Sequence, residues 1–335
     1  MAKKGILERL SEGVVLGDGG YVLELERRGY IIAGPFTPEV CLEHPSAVRE
    51  LNHEFVLAGA DVIQALAFYA SREKLATVGY GEQVLEVNRK AVQIAKEVAG
   101  DDVLVAGNLS TTWDYRADDP SSHDVVRKQF QEQLEVQVDE GVDFVIGELF
   151  FDLAEALLSV KTAKAFGLPY MVTMTFAEQP VTRDGKSPAE CARALMDAGA
   201  DIVGLNCYRG PDHMLPLAQQ MRKAVDGYIA VQAPAFRTTD AIPFFAGLPG
   251  FPNTMEPYQL TRFEMADYAR KAKDMGVNYI GGCCGTIPTH IREMAKALGK
   301  PVKEKRVWQP DYESPMSATE EFNEYRKRAR ERDAS

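Results

Sequence analysis

The chain has 335 residues, 45% hydrophobic and 26% charged, which is ordinary globular usage with core enough to fold without disulfide staples. Its formal net charge of −11 argues against a nucleic-acid binder, which needs a positive surface to displace counterions from phosphate. No run reaches the roughly 20 apolar residues that cross a bilayer, and the charged opening MAKKGILERL has no signal-peptide core. No membrane partner and a cytoplasmic address are therefore expected.

Short apolar runs recur along the chain, separated by stretches of helical periodicity. Strands are predicted at 14–19, 61–68, 103–109, 143–149, 169–175, 201–207, 228–233 and 278–284. Their near-continuous hydrophobicity suits strands covered on both faces, as in parallel sheets. Helices are predicted over 124–140, with Val125, Phe130, Leu134 and Val138 on one side, over 188–198 behind Pro188, and over 262–275 ending at Gly276. The junctions DEGVDFVIG, DAGADIVGL and DMGVNYIGG read alike, each with a glycine ending a helix before an apolar strand. Eight strand–helix units predict an α/β fold, a (β/α)8 TIM barrel over 1–299, with an open doubly wound sheet as the runner-up. The long connection 234–260 is expected to be a structureless active-site cover. A linker and a helix over 317–333, opened by the capping-box spacing of Ser317 and Glu320, are expected to form a short C-terminal extension, 300–335. That extension is expected to pack on the barrel or on another subunit.

Five cysteines, two of them adjacent, make no secreted disulfide framework. In such a barrel function collects at the C-terminal ends of the strands. Those ends carry Asp18, Phe68, Tyr69, Asn108, Glu148, Thr175, Asn206, Cys207, Gln232, Cys283 and Cys284. Three cysteines thus reach one rim from the sixth and eighth strands, and three soft thiolates suit a tetrahedral zinc ion with one position open. The glycines of GGCCGT let both adjacent sulfurs bend toward one ion. A redox pair is the competing reading, but vicinal disulfides are strained and no C-x-x-C is present. Cys41 and Cys191 read as buried small hydrophobes, and His213 and His290, away from ligand spacing, as structural or solvated.

The segments KKGILERL, GDGGYVLELERRGY, AGPFTPE, FYASREKL, VGLNC and YIGGCCG run in order from residue 3 to about 298. With them the chain resembles the homocysteine S-methyltransferases, and among these the betaine-using members. The resemblance implies a (β/α)8 barrel binding Zn2+ through Cys207, Cys283 and Cys284, with homocysteine and a cationic methyl donor as partners. It implies that Glu148 holds the homocysteine amino group and that Gly19 and Gly20 approach its carboxylate. Asn206 would orient the cysteine turn, and Asp18 stands as a candidate catalytic residue that otherwise reads as a turn-former. Phe36 and Tyr69 would contact the donor, and Tyr69 would fill the zinc position when homocysteine is absent. The chemistry fits, since homocysteine must react as a thiolate and zinc lowers its pKa without an obligatory general base.

Three departures bear on the donor. Phe36 and Leu149 stand where the animal betaine enzymes have Trp and Tyr, and Ala65 replaces a Thr. Glycine betaine is the first expectation, with a dimethylsulfonium compound (dimethylsulfoniopropionate or S-methylmethionine) as the alternative. A redox or lyase barrel using Cys283 and Cys284, or a non-catalytic binding protein, ranks lower. A homo-oligomer is expected, although the tail is shorter than the arm of the animal tetramers.

Overall fold

The computed structural model describes residues 3–302, together with Glu324, Lys327 and Glu331 beyond them. Among the described residues eight strands are present, β1 (Val15–Leu16), β2 (Val62–Gln64), β3 (Leu104–Ser110), β4 (Phe144–Phe150), β5 (Tyr170–Met174), β6 (Ile202–Asn206), β7 (Tyr228–Ala233) and β8 (Tyr279–Gly282). They form one parallel sheet in the order β1-β8-β7-β6-β5-β4-β3-β2, with helices between them, so the fold is the (β/α)8 barrel.

β1 and β2 are shorter than predicted because the chain turns early onto the rim. After Gln64 the Ala67 N–H bonds the Ala65 carbonyl at 2.7 Å, which carries Phe68 and Tyr69 out of the sheet. The seam between β1 and β2 closes largely through side chains. Leu16 N–H donates to Asp61 Oδ2 at 2.8 Å and Gln64 N–H to Asp18 Oδ2 at 2.7 Å, while Asp61 N–H donates to the Leu16 carbonyl at 2.8 Å.

The interior is layered. Its lower half is apolar, with Val15, Val62, Leu104, Ala106, Phe144, Ile146, Met171, Ile202, Ala230 and Tyr279 packed together, and Ile6 and Leu10 of the helix Ile6–Glu12 in the same cluster. A second core lies between strands and helices, and a third, rich in aromatics, gathers around Leu149, Cys207, Phe236 and Phe245. Above the apolar layer the strand ends bring polar Gln64, Asn108, Glu148, Asn206 and Gln232 inward, all buried.

The predicted helices are present with moved ends. The helix Pro120–Asp139 begins at a proline whose cap, Asp119, accepts from Ser121 N–H. Phe130 and Leu134 of the predicted side are buried, together with Val126, whereas Val125 is exposed and Val138 half-buried. Pro188–Asp197 and Arg262–Asp274 each open on a capping box, Ser187 with Glu190 and Thr261 with Glu264. The connection 234–260 is not structureless, since it holds turns at Phe245–Gly247 and Glu256–Tyr258 and bridges Phe236 to Gln259.

The chain divides into units Met1–Lys303 and Glu304–Ser335. Lys300 pairs with Asp61 at 2.6 Å, so the barrel's contacts run past the expected boundary at 299. The capping box at Ser317 and Glu320 lies outside the described residues; Glu324, Lys327 and Glu331 are helical. Among the described residues no helix is long and apolar enough to cross a membrane.

Candidate metal centre and adjoining cavities

Cys207 follows β6, and Cys283 and Cys284 follow β8, with β7 between them. Backbone bonds anchor all three to β7 or to Ala235 just beyond it. Cys207 N–H donates to the Gln232 carbonyl at 2.9 Å, Cys283 N–H to the Ala233 carbonyl at 3.0 Å, and Ala235 N–H to the Cys284 carbonyl at 2.9 Å. The turn needs glycine at Gly285, where φ is +74° and a Cβ would meet the Phe236 ring at 2.5 Å.

The three sulfurs lie within 4.8 Å of one another, with Cys207 and Cys284 at 3.6 Å. Ligands of a tetrahedral ion with Zn–S near 2.3 Å stand about 3.8 Å apart, so this triangle is ion-sized. Burial raises the Cys207 thiol well above its usual range, and the neighbouring Cys207 does the same to Cys283. Surroundings that favour the protonated thiol leave a divalent cation as the group that would draw off the protons. The donor set therefore fits a soft metal ion. All three cysteines are free thiols.

Glu148, at the end of β4, accepts from three amides, Gln64 Nε2 at 2.8 Å, Asn108 Nδ2 at 2.6 Å and Asn206 Nδ2 at 2.8 Å. Burial pushes its carboxyl up to about 6, and the three amides hold it from rising further. Asn206 is itself fixed, because its Oδ1 accepts from Leu149 N–H and the Thr173 hydroxyl, each at 2.9 Å. One residue thus joins the carboxylate to the cysteine beside it.

Asp18 lies beneath the cavity floor and is fully buried. It accepts from the Tyr21 hydroxyl at 2.5 Å and from Gln64 N–H, while its Oδ1 has no partner among the described residues. Burial raises its carboxyl to about 7. Gly20 N–H is occupied by the Thr286 carbonyl at 2.9 Å, whereas Gly19 N–H donates to no group among the described residues. Both glycines permit close packing, since a Cβ on Gly19 would come within 2.4 Å of the Thr286 carbonyl and one on Gly20 within 2.5 Å of the Cys283 carbonyl.

Two cavities meet at the thiols. The inner, of about 510 Å³, is lined by Gly19, Gly20, Gln64, Ala65, Asn108, Glu148, Asn206 and all three cysteines, among others. The outer, of about 500 Å³, is lined by Phe36, Phe68, Tyr69, Tyr208, Phe245 and Phe251 with Leu149, Cys207 and Cys284. No acidic side chain lines the outer cavity. Burial also raises the Tyr69 hydroxyl, next to Tyr208 and Cys207.

Sequence reasoning missed Gln64, Tyr208, Phe245 and Phe251. Gln64 is the lone polar residue of β2, and that break in an apolar run was the available signal. The two phenylalanines sit in the long connection flagged as a cover, but nothing in the sequence selects them from its other aromatics. Left-handed backbone gives a further mark of the site. Among the described residues the five non-glycine ones with positive φ, Phe36, Tyr69, Leu149, Cys207 and Tyr208, all line the outer cavity. Such conformations persist only where tertiary contacts enforce them, and they cluster at functional sites.

A family model for homocysteine S-methyltransferases matches residues 15–298. Betaine–homocysteine S-methyltransferase 1 of Mus musculus is 44% identical over 309 residues, covering 89% of this chain and 75% of its own length. The S-methylmethionine–homocysteine S-methyltransferase BHMT2 of Pongo abelii is 41% identical over 305 residues, covering 89% and 82%. The metallated crystal structure of the homocysteine methyltransferase MmuM from Escherichia coli superposes with a TM-score of 0.68 at 20% identity, over 85% of this chain and 96% of that one, which supports the fold. With a matched segment that contains the barrel from β1 to the helix Pro288–Ala297 after β8, the chain belongs to the homocysteine S-methyltransferase family.

Proposed function

We propose that this enzyme transfers a methyl group from a cationic onium donor to the sulfur of homocysteine, forming methionine, with zinc held by Cys207, Cys283 and Cys284. The observation that carries the reading is the meeting of the two cavities at the thiol triangle, one with a polar floor and one walled by aromatics. Both named relatives use homocysteine, and they differ in the donor.

In the inner cavity Glu148 holds the homocysteine ammonium. Its Oε1 already takes two amides but Oε2 only one, which leaves acceptor room on Oε2. The carboxylate goes to the free Gly19 amide. Gly20 keeps its N–H on Thr286 and serves by close backbone approach. Asn206 orients Glu148 and the Cys207 turn together, and Asp18 supports the floor through Gln64. Zinc, when bound, keeps the incoming sulfur as a thiolate at neutral pH. The sulfur then forms a bond to the methyl carbon, and the bond from that carbon to the donor's nitrogen or sulfur breaks with its electron pair leaving on the heteroatom. Phe36, Phe68, Tyr69, Tyr208, Phe245 and Phe251 exclude water around the cation, which favours a step in which opposite charges are neutralised.

Glycine betaine is the first donor to test. A dimethylsulfonium donor is the second reading, favoured by Phe36 and Leu149 in place of larger aromatics. A panel of glycine betaine, dimethylsulfoniopropionate and S-methylmethionine with homocysteine tests the reaction, with methionine formation as the readout. At least one donor is expected to work, and Cys207→Ala is expected to release the bound zinc. Full activity in a metal-free protein, or no turnover of any of the three, would overturn the proposal.

A further inference from the structure

Lys74, in the short helix Arg72–Ala76, is fully buried. A buried ammonium ordinarily ends on a carboxylate or a carbonyl, yet its Nζ has no hydrogen-bond partner among the described residues. It sits instead 3.8 Å from the centroid of the Tyr69 ring and 3.3 Å from that of Trp113. Phe68 stacks on Tyr69 with centroids 4.0 Å apart and planes at 30°. Two groups this close cannot share one face of a ring, so Phe68 and Lys74 cover opposite faces of Tyr69.

The four side chains form a column in the order Phe68, Tyr69, Lys74, Trp113. Phe68 lines both cavities and Tyr69 the outer one, while Trp113 at the far end is 51% exposed. With both faces covered, Tyr69 can offer the cavity only its edge and its hydroxyl. Its backbone is left-handed, φ +58°, and its N–H is held by Ser110 Oγ at 3.0 Å. Nothing local favours that conformation, so the ring depends on the groups that grip it. Glu73 on the same helix and Glu155 from the helix Leu153–Lys164 are the acidic groups that act on Lys74, and burial outweighs both, lowering its pKa to about 7.

We propose that Lys74 is a positioning residue for the methyl donor, its ammonium clamping the Tyr69 ring against Phe68 so that the Tyr69 hydroxyl edge meets the donor beside Cys207 and Cys284. The inference rests on the proposed reaction. A cation is suited to this task because it attracts both rings at once and remains effective without water. An apolar side chain of equal length would fill the space without that pull.

The test compares Lys74→Met and Lys74→Arg with the parent, using whichever donor the panel finds active. Lys74→Met is expected to raise the donor KM about tenfold or more, as for loss of a desolvated cation–π contact. The homocysteine KM should stay within about twofold and the zinc content should be unchanged. Lys74→Arg, which keeps a stacking cation, should recover the donor KM to within about threefold of the parent. Should Lys74→Met not fold, Trp113→Leu at the half-exposed end frees the ammonium and is expected to raise the donor KM alone. An unchanged donor KM in Lys74→Met, or in Trp113→Leu where that variant must stand in, would overturn the clamp. So would an arginine variant as impaired as the methionine one. If the parent turned over no donor, the proposed reaction would fall first and the clamp with it.

Discussion

Glu148 illustrates how one side chain is prepared by others. Left alone in this interior, its carboxylate would be costly to ionise. Amides from β2, β3 and β6 converge on it and keep its pKa near 6 despite burial. If it holds the homocysteine ammonium, binding needs the ionised form. Homocysteine affinity is therefore expected to fall as the pH drops through about 6. Glu148→Gln keeps the shape and removes the charge. It should weaken homocysteine binding by about 1.5–3 kcal/mol, the worth of a charged hydrogen bond, and lose that acid limb. Calorimetric titration of homocysteine at several pH values checks both, and a variant binding like the parent would displace the amino group from this place. Glu148 and the three cysteines stood out in the sequence because each closes a strand. Asn108 and Asn206 stood at strand ends too, but their convergence with Gln64 on Glu148 was not legible, since the three are spread over more than a hundred positions and meet only when the barrel closes.

At the level of elements, a four-fold pattern appears at the lower rim. The residue opening each even strand, Asp61, Asp143, Asp201 or Asn278, accepts on its side chain from the neighbouring odd strand. The donors are the N–H groups of Leu16 (2.8 Å), Val105 (2.7 Å), Tyr170 (2.8 Å) and Ile229 (3.0 Å). Each of the four donates its own N–H back to that same strand. A basic side chain reaches each latch, namely Lys300, Lys3, Lys164 and Arg222. The three alike junctions noticed in the sequence are three of these latches. The fourth, LAGADVIQ, differs in its helix-end residues and hides the repeat. Asp61→Ala strips the acceptor from Leu16 and the partner from Lys300, and is expected to cost about 1–3 kcal/mol. Asp61→Asn, which keeps an acceptor, should cost less. Urea unfolding of both variants measures the difference, and equal stabilities would remove the latch from the account. Strand positions were readable because apolar runs follow from local composition. Strand ends and the turns of the long connection were not, because they depend on which rim residues must leave the sheet.

For the molecule as a whole, three buried carboxyls weigh on stability. Burial raises Asp18 and Glu155 to about 7 and Glu148 to about 6. A raised acid binds its proton more firmly in the folded than in the unfolded chain. Its contribution is complete below the ordinary carboxylate range and is lost as the pH rises through 6 to 7. Buried Lys74, lowered to about 7, and His290, lowered to about 4, act in the opposite sense. Glu155 is bonded to Thr111 and Thr112 rather than to the cavity groups, and among the groups just named it acts on Lys74. Glu155→Gln is expected to lose less melting temperature than the parent between pH 5 and pH 8, the span that covers its titration. Identical slopes from scanning calorimetry would rule the residue out as a source of the dependence.

The carboxylate of Asp18 is also the fastener that draws the second stave of this cask to the first. Its oxygen takes the Gln64 amide, whose side chain in turn braces Glu148. An inactive Asp18→Ala enzyme would therefore report a sprung hoop as readily as a lost chemical contact. Asp18→Asn, which leaves an oxygen for that amide, would part the two effects.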